Sequence, residues 1–418
     1  MSFSYRQGSL CAEYTSLEDI ARRHGTPCYV YSSAAIRQAY GEYAGALGTR
    51  DALVCYSVKA NSNLGVLSLL RGLGAGFDIV SGGELARVLA AGGNPGKVVF
   101  SGVGKSEQEI ESALRAGILC LNLESEAELE RVSAVARRLH ARAPVAFRVN
   151  PDVDARTHPY ISTGLKQSKF GVAHLEAERL YGAAAARPEI EVVGIGCHIG
   201  SLLGDTGPFV AAAERLRELT ERLERNGIQL RHIDVGGGVG IRYRDEEQKP
   251  VRDFVSGALA ALRSRSETLL LDPGRSLVGN AGVLLTRVEY VKPGESKNFL
   301  VVDAAMNDLV RPALYGAWHD VLPVREPRGD PGVARRYDVV GPICESADFL
   351  AHDRPLDAQA GDLLAIMSAG AYGMSMSSNY NTRPRPAEVL VDGAHARLVR
   401  RRERIDELFA LETSPNGR

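Results

Sequence analysis

The chain has 418 residues, of which 44% are hydrophobic and 24% charged, so it is too long for one ordinary domain and typical of a folded globular protein. Its formal net charge of −1 argues against binding to nucleic acid or to an anionic membrane surface. Its six cysteines show neither a C-x-x-C pair nor zinc spacing, which excludes a disulfide scaffold, predicts no metal site and favours a cytoplasmic protein.

The first 30 residues contain one predicted helix, at 16–24. No apolar signal segment precedes it, and no run in the chain reaches the length that a membrane span requires. The pattern does not decide which half of the chain this segment packs with.

Residues 50–275 repeat one pattern, in which a short apolar strand, a polar or glycine-rich break and a helical stretch follow each other. The predicted strands are 53–58, 76–80, 97–100, 118–123, 145–149, 192–197, 231–235 and 268–271. The clearest intervening helices are 83–91, 106–116, 126–141 and 209–226. Eight such units predict a (β/α)₈ TIM barrel, and a doubly wound parallel sheet is the alternative.

The composition changes after Arg275, where β-strands separated by Pro/Gly turns replace the helices. The predicted strands are 282–291, 298–303, 336–341, 362–367 and 388–391. We therefore expect an α/β barrel of residues 30–275 and a β-rich domain, a β-sandwich or β-barrel, of residues 1–29 and 276–418.

Lys59 is the most informative single residue, because it ends the first apolar strand of the barrel. An amine at that position is half-withdrawn from water, which favours its uncharged form. A free amine can attack a carbonyl and hold it as a Schiff base. A lysine whose stem covers apolar surface is the alternative.

Gly236, Gly237 and Gly238 follow the seventh strand. Backbone without side chains lets several N–H groups converge on an anion, and barrels commonly bind phosphate after this strand. The guanidinium of Arg275 or the hydroxyl of Ser201 could complete such a site. A glycine run that only turns a corner is the alternative.

His198 and Asp272 follow the sixth and the eighth strand. A histidine here could stack on a planar cofactor ring, and the alternative is a buried rim residue. Asp272 could pair with a protonated ring nitrogen, or form a salt bridge with Arg275. A Schiff-base lysine, a phosphate loop, a stacking ring and a carboxylate together describe a site for pyridoxal 5′-phosphate (PLP).

The chain resembles the PLP-dependent ornithine/diaminopimelate/arginine decarboxylase family, whose fold class is alanine-racemase-like. Within that family it resembles the diaminopimelate decarboxylases. The resemblance runs through nearly the whole chain. The matching motifs are YSVKAN at 56–61, FDIVSGGEL at 77–85, HPYISTG at 158–164, HIGS at 198–201, DVGGG at 234–238, RPALY at 311–315, GPICES at 341–346 and AGAYG at 369–373.

The resemblance implies that PLP is bound covalently to Lys59, stacked by His198 and held at the remaining positions of the cofactor site. Those positions are Ser201, Gly236, Gly237, Gly238, Asp272, Gly274, Arg275 and Tyr372. It also implies a second group that binds the part of the substrate that does not react. That group is Arg275, Arg311, Tyr315, Glu345 and Tyr372.

Cys344 and Glu345 gain a role only through the resemblance, because in relatives the matching segment enters the active site of the partner subunit. A homodimer would then be required for activity, and Cys344 would be a catalytic proton donor. Without the resemblance, Cys344 is expected to be one of six buried thiols.

One position departs from the family, since Asp272 stands where relatives have a glutamate. The charge is kept while the side chain is one methylene shorter.

The resemblance implies decarboxylation of meso-2,6-diaminopimelate to L-lysine and CO₂, the last step of lysine biosynthesis. Residues 152–171, rich in His, Tyr, Thr and Gly, are long for a connection between a barrel strand and its helix, and we expect them to act as a lid. Decarboxylation of ornithine or arginine on the same fold is one alternative, which Arg311 disfavours because it would repel a terminal cation. A non-catalytic PLP-binding protein is the other.

Overall fold

The computed structural model describes residues 3–153, 169–327 and 335–413. The chain divides into two units. The barrel unit comprises residues 38–242 and 246–277, and the β-rich unit comprises the segment up to Arg37, Tyr243–Asp245 and the chain from Val278 onward. Among the described residues, no helix is both long and apolar enough to cross a membrane.

The N-terminal segment forms a small antiparallel sheet, two helices and one further strand. These are β1 (Phe3–Arg6), β2 (Ser9–Ala12), β3 (Thr15–Ser16), α1 (Leu17–His24), β4 (Cys28–Ser32) and α2 (Ser33–Leu47). The predicted helix is confirmed as α1, and it begins at Leu17 because the Ser16 hydroxyl caps it by accepting the Glu18 N–H at 3.1 Å.

The described residues of the barrel unit form eight parallel strands and one short additional strand. They are β5 (Ala52–Ser57), β6 (Gly76–Ile79), β7 (Val98–Phe100), β8 (Cys120–Leu123), β9 (Ala143–Asn150), β10 (Val172–Ala173), β11 (Ile190–Gly196), β12 (His232–Asp234) and β13 (Thr268–Leu271). Parallel pairing runs β9-β11-β12-β13-β5-β6-β7-β8, and β8 also pairs with β9, which closes the ring. The TIM barrel is confirmed, and ring closure rules out the doubly wound sheet.

Helices follow the barrel strands. They are α3 (Leu64–Gly72), α4 (Gly82–Ala90), α5 (Glu107–Ala116), α6 (Glu126–Leu139), α7 (His174–Ala185), α8 (Gly207–Arg225), α9 (Val251–Ala261) and α10 (Arg275–Val278). Serines before several of these helices accept backbone N–H groups, and Ser106 with Glu109 forms a reciprocal capping box at α5.

A buried histidine lies inside the barrel. His232 on β12 approaches Cys120 Sγ, 3.6 Å from Nε2, and burial lowers the pKa of His232 to about 4, so the ring is neutral at pH 7. Gly194 on β11 makes this possible, because a Cβ there would lie 2.0 Å from His232 Nε2.

From Val278 to residue 413, the described part of the β-rich unit forms eight strands and two short helices. They are β14 (Gly282–Lys292), β15 (Asn298–Val302), α11 (Arg311–Tyr315), β16 (Val321–Pro323), β17 (Arg335–Val340), β18 (Phe349–Leu356), β19 (Leu363–Ile366), β20 (Ala387–Asp392), β21 (His395–Arg400) and α12 (Ile405–Leu408).

The main sheet of this unit has the order β18-β17-β15-β14-β4-β20-β21, and β19 pairs with β14 and β16. β4 therefore lies in the middle of the sheet, antiparallel to β14 and parallel to β20. Val30 of β4, Val283 of β14 and Val389 of β20 share one apolar core. The N-terminal segment up to Arg37 is thus part of the β-rich unit.

Candidate active site

Three residues predicted from the sequence line one pocket in the barrel unit. Lys59 follows β5, His198 follows β11 and Asp272 follows β13, and the carboxyl ends of parallel strands meet at one face of a barrel. The full lining is Lys59, Asp78, Ser101, Asn122, Arg148, Gly196, Cys197, His198, Asp234 and Asp272.

Lys59 lies in a 3₁₀ turn, Val58–Ala60, directly after β5, with 37% of its side chain exposed. Its Nζ is 3.5 Å from Oδ2 of Asp78, a carboxylate buried at the end of β6. Two hydroxyls orient this carboxylate, since Ser57 donates to Oδ2 at 3.0 Å and Ser101 donates to Oδ1 at 2.6 Å. The amine is therefore half-withdrawn from water beside a carboxylate that two hydroxyls hold in place.

His198 and Asp272 are adjacent, with Nδ1 and Oδ1 3.3 Å apart. Burial, followed by the positive charges of Arg148 and Lys59, lowers the pKa of His198 to about 3, so the imidazole is neutral at pH 7. Burial and repulsion from Asp78 raise the pKa of Asp272 to about 8. A ring N–H that carries positive charge would favour the ionised form of this carboxylate, which is the partner a pyridinium provides.

The glycine loop after β12 lies directly against the loops after β11 and β13. Gly236 and Gly238 have φ values of +80° and +83°, which favour glycine. A Cβ at Gly237 would lie 2.5 Å from the backbone oxygen of Asp272, and one at Gly238 would lie 2.0 Å from that of Gly200. Only glycine, which has no Cβ, therefore fits at these two positions.

Arg275 and Ser201 contact each other, since Nε and Nη2 of Arg275 donate to Ser201 Oγ at 3.3 and 3.2 Å. Arg275 is buried, and a Cβ at the neighbouring Gly274 would lie 3.0 Å from Ser57 Cβ, at the end of β5. A guanidinium, a hydroxyl and a glycine loop are a donor set for a phosphate. Together with the lysine, the imidazole and the buried carboxylate, these residues fit PLP.

Gly238→Ala should lower PLP affinity by at least about tenfold, because the added methyl would force the loop away from Gly200 and the φ of +83° strains any other residue. Titration of the apoprotein with PLP, followed by absorbance, measures this. Gly104→Ala is the matched control, since a Cβ there meets nothing within 4 Å. Unchanged affinity in Gly238→Ala would contradict a role of this loop in cofactor binding.

The β-rich unit contains the other predicted residues of the substrate group. Arg311 begins α11 and is buried, and Tyr315 ends that helix. Arg311 Nη1 is 2.8 Å from Nε2 of His319, and its guanidinium carbon lies 4.6 Å from the centre of the Tyr243 ring. Tyr372 has a φ of +56°, an uncommon conformation for a bulky side chain.

The expectation that Cys344 is a buried thiol is wrong. Five of the six cysteines are buried, but Cys344 is exposed, because it lies in the loop between β17 and β18 where Ile343 supplies the buried contact. Its N–H donates to Asn381 Oδ1 at 3.1 Å. The next residue, Glu345, accepts the Tyr380 hydroxyl at 2.9 Å. An ordered loop therefore presents a thiol and a carboxylate side by side.

The sequence analysis missed Asp78, Arg148 and Asp234. Asp234 ends β12, where the strand-end rule that located Lys59 applies, whereas Asp78 lies one residue before the end of β6. Arg148 lies within β9, donates from Nη2 to the His198 backbone oxygen at 3.3 Å and is 3.6 Å from Glu124. An arginine within an apolar strand was its only signal. The proposed lid at 152–171 lies mostly outside the described residues.

Comparison with a family model and with curated relatives gives consistent results. Residues 33–279 match the family model "Pyridoxal-dependent decarboxylase, pyridoxal binding domain". The chain is 59% identical over 412 residues to a diaminopimelate decarboxylase of Pseudomonas aeruginosa, covering 99% of each chain.

Solved structures agree with this family match. The structure of Helicobacter pylori diaminopimelate decarboxylase complexed with L-lysine has a TM-score of 0.90 at 44% identity and covers 94% of this chain and 98% of its own. The M. jannaschii diaminopimelate decarboxylase, in co-complex with L-lysine, has a TM-score of 0.93 at 35% identity and covers 99% and 98%.

Proposed function

Because this chain belongs to the diaminopimelate decarboxylase family of pyridoxal-dependent decarboxylases, we propose that it converts meso-2,6-diaminopimelate to L-lysine and CO₂, the last step of lysine biosynthesis. The observation that carries the proposal is the pocket that Lys59, His198 and Asp272 share at the carboxyl end of the barrel. A lysine, a neutral imidazole and a buried carboxylate are the groups that PLP chemistry requires around one ring.

When bound, PLP supplies a carbonyl for the substrate amine and a ring that accepts the electrons released as CO₂ leaves. Lys59 Nζ would hold that carbonyl, and the loop of Gly236–Gly238, with Ser201, Arg275, Gly274 and Tyr372, would hold the phosphate. Asp272 would pair with the protonated ring nitrogen, and the flat neutral face of His198 would stack on the ring. Asp78, 3.5 Å from Lys59 Nζ, would orient the amine.

The end of the substrate that does not react carries one carboxylate and one ammonium group. Arg311 is assigned to this carboxylate, with Arg275, Tyr315 and Tyr372 as further donors, because guanidinium forks bind carboxylates in two parallel hydrogen bonds. Glu345 is assigned to the ammonium. This charge pattern favours a substrate whose far end is an amino acid over ornithine or arginine, whose far ends are cations.

Cys344 is assigned as the proton donor to the carbon that loses CO₂, in the active site of the other subunit of a homodimer. Its exposure on an ordered loop supports this assignment, since a thiol that acts outside its own subunit has to be accessible. Lys59 is the alternative donor. Six cysteines that form no disulfide suit a reducing cytoplasm.

Subunit mixing tests the shared active site. Lys59→Ala and Cys344→Ala should each be nearly inactive, yet denaturing and refolding an equal mixture should restore about 25% of wild-type activity, because half of the dimers are mixed and each of these has one complete site. Refolded single variants and refolded wild type are the controls. If the mixture stays inactive while refolded wild type recovers, both residues act in the same subunit.

The substrate assignment is tested by CO₂ release from meso-diaminopimelate, LL-diaminopimelate, ornithine and arginine. We expect turnover of the meso isomer alone, since the family relatives are diaminopimelate decarboxylases. Faster release from ornithine would favour the alternative decarboxylase. A PLP absorbance band that borohydride does not fix, together with no turnover of any of the four, would favour a non-catalytic PLP-binding protein.

A further inference from the structure

His319 lies next to Arg311 in the β-rich unit and makes two short hydrogen bonds. Its Nδ1 is 2.8 Å from the backbone oxygen of Met367, and its Nε2 is 2.8 Å from Nη1 of Arg311. The side chain has no exposed surface. Gly316, with a φ of +59°, ends α11 and turns the chain so that His319 returns to the first residue of the helix.

These two partners determine the tautomer of the imidazole. A carbonyl oxygen only accepts, so Nδ1 must carry the proton, and a guanidinium only donates, so Nε2 must offer its lone pair. The ring is therefore neutral in this arrangement. An imidazolium would point an N–H at the N–H of Arg311 and bring two positive charges together.

The surroundings fix the ring and the guanidinium in place. The rings of His319 and Tyr243 meet edge to face with centroids 5.3 Å apart, and Arg311 lies over the same Tyr243 ring. The backbone oxygen of His319 accepts Nη2 of Arg354 at 3.0 Å. Arg311 is therefore held by an aromatic face and by an acceptor in the plane of its own guanidinium.

We propose that His319 is a positioning residue, which orients Arg311 for the retained carboxylate of the substrate without cancelling its charge. The inference rests on the proposed function through the role of Arg311. A carboxylate in place of His319 would hold the guanidinium equally well. It would also pair with the positive charge that the substrate needs.

Three variants separate the possible roles. His319→Gln keeps an acceptor near the Nε2 position and loses the Met367 contact, whereas His319→Asn keeps a donor near the Nδ1 position and loses the Arg311 contact. His319→Glu places a charged acceptor where His319→Gln places a neutral one. Comparing His319→Gln with His319→Asn tests which of the two hydrogen bonds is required. Comparing His319→Gln with His319→Glu tests whether the acceptor has to be uncharged.

We expect the KM for meso-diaminopimelate and the inhibition constant for L-lysine to rise about tenfold in His319→Asn, because a buried guanidinium loses its acceptor. Both constants should change by less than about threefold in His319→Gln and rise most in His319→Glu, with kcat within about threefold in all three. Inhibition by 1,5-diaminopentane, which has no carboxylate, should not change. All measurements use the PLP-loaded enzyme.

The inference is overturned if His319→Asn binds L-lysine as well as His319→Gln does, or if the Gln and Glu variants bind it equally. An inactive wild-type enzyme that still binds L-lysine would instead contradict the proposed function alone. If the variants do not fold, imidazole ¹⁵N spectra of the wild-type enzyme decide the matter. A His319 signal with its proton on Nε2, or one unchanged by Arg311→Leu, would also overturn the inference.

Discussion

Lys59→Ala should lower the rate of CO₂ release from meso-diaminopimelate by at least about 1,000-fold, because no other lysine among the described residues lines the pocket. Cys197 also lines the pocket, but burial raises its pKa far above the ordinary value, so its thiolate is scarce at neutral pH. The absorbance band of covalently held PLP should disappear, and borohydride should fix no cofactor to the protein.

Two measurements separate this effect from loss of fold. Lys59 is 37% exposed and lies in a turn, so the melting temperature of the apoprotein should change by only a few degrees. Lys249→Ala, at an exposed position of the same unit, is the matched control and should keep full activity. If Lys59→Ala retains a tenth of wild-type turnover, Lys59 does not hold the cofactor covalently during the reaction.

Asp272→Asn should lower turnover by about 100-fold or more, since an amide can accept the ring N–H but cannot balance its positive charge. Asp272→Glu should retain most of the activity, because it keeps the negative charge that pairs with the ring nitrogen. Steady-state rates with saturating PLP measure both. Near-wild-type turnover in Asp272→Asn would remove the ring-nitrogen assignment, and a dead Asp272→Glu would show that the shorter side chain is itself required.

Asp272→Asn should also stabilise the folded protein when PLP is absent. The pKa of Asp272 is raised in the folded state from an unfolded value of 3.8 to about 8. The unfolded chain therefore releases this proton first, and the folded state loses stability as the pH rises from about 4 to about 8. Asparagine does not ionise, so the unfolding free energy of apo Asp272→Asn should exceed that of apo wild type by an amount that grows over this range, on the order of 2–5 kcal/mol at pH 8.

Denaturant unfolding at pH 5 and pH 8 measures this difference, and loading with PLP supplies a control. In the loaded enzyme the ring nitrogen pairs with the carboxylate, so the advantage of asparagine at pH 8 should shrink or reverse. An advantage that is equal at both pH values would mean that the Asp272 carboxyl is not the group responsible.

The sequence predicted the barrel well, because each strand is a short apolar run and each helix has a recognisable start. The eight strands and the residues after them follow directly from that pattern. The prediction of five strands after Arg275 was also confirmed, at β14, β15, β17, β19 and β20. The strands that were missed lack the alternation that the pattern requires. β18 contains Asp353 and Pro355, and β21, at the edge of the sheet, contains Arg397 and Arg400 three positions apart.

Contacts between residues that are far apart in the sequence could not be predicted from local sequence patterns. Nothing near Asp78 in the sequence indicates that two hydroxyls from neighbouring strands orient it beside Lys59. The exposure of Cys344 depends on how the loop between β17 and β18 folds, and cysteines are usually buried. The pairing of Arg311 with His319 depends on the turn at Gly316.

The central position of β4 determines when the β-rich unit can be completed during synthesis. Tyr31 of β4 donates a buried hydrogen bond to Glu388 of β20 at 2.8 Å, and 357 residues separate them. At about 5–20 residues per second, a ribosome needs roughly 20–70 s to make the chain between these partners. Until β14 is made, from Gly282 onward, this apolar strand has no neighbour from its final sheet, and the whole barrel is made in that time. The nascent chain is therefore most open to chaperone binding, and to aggregation, at one of its first strands.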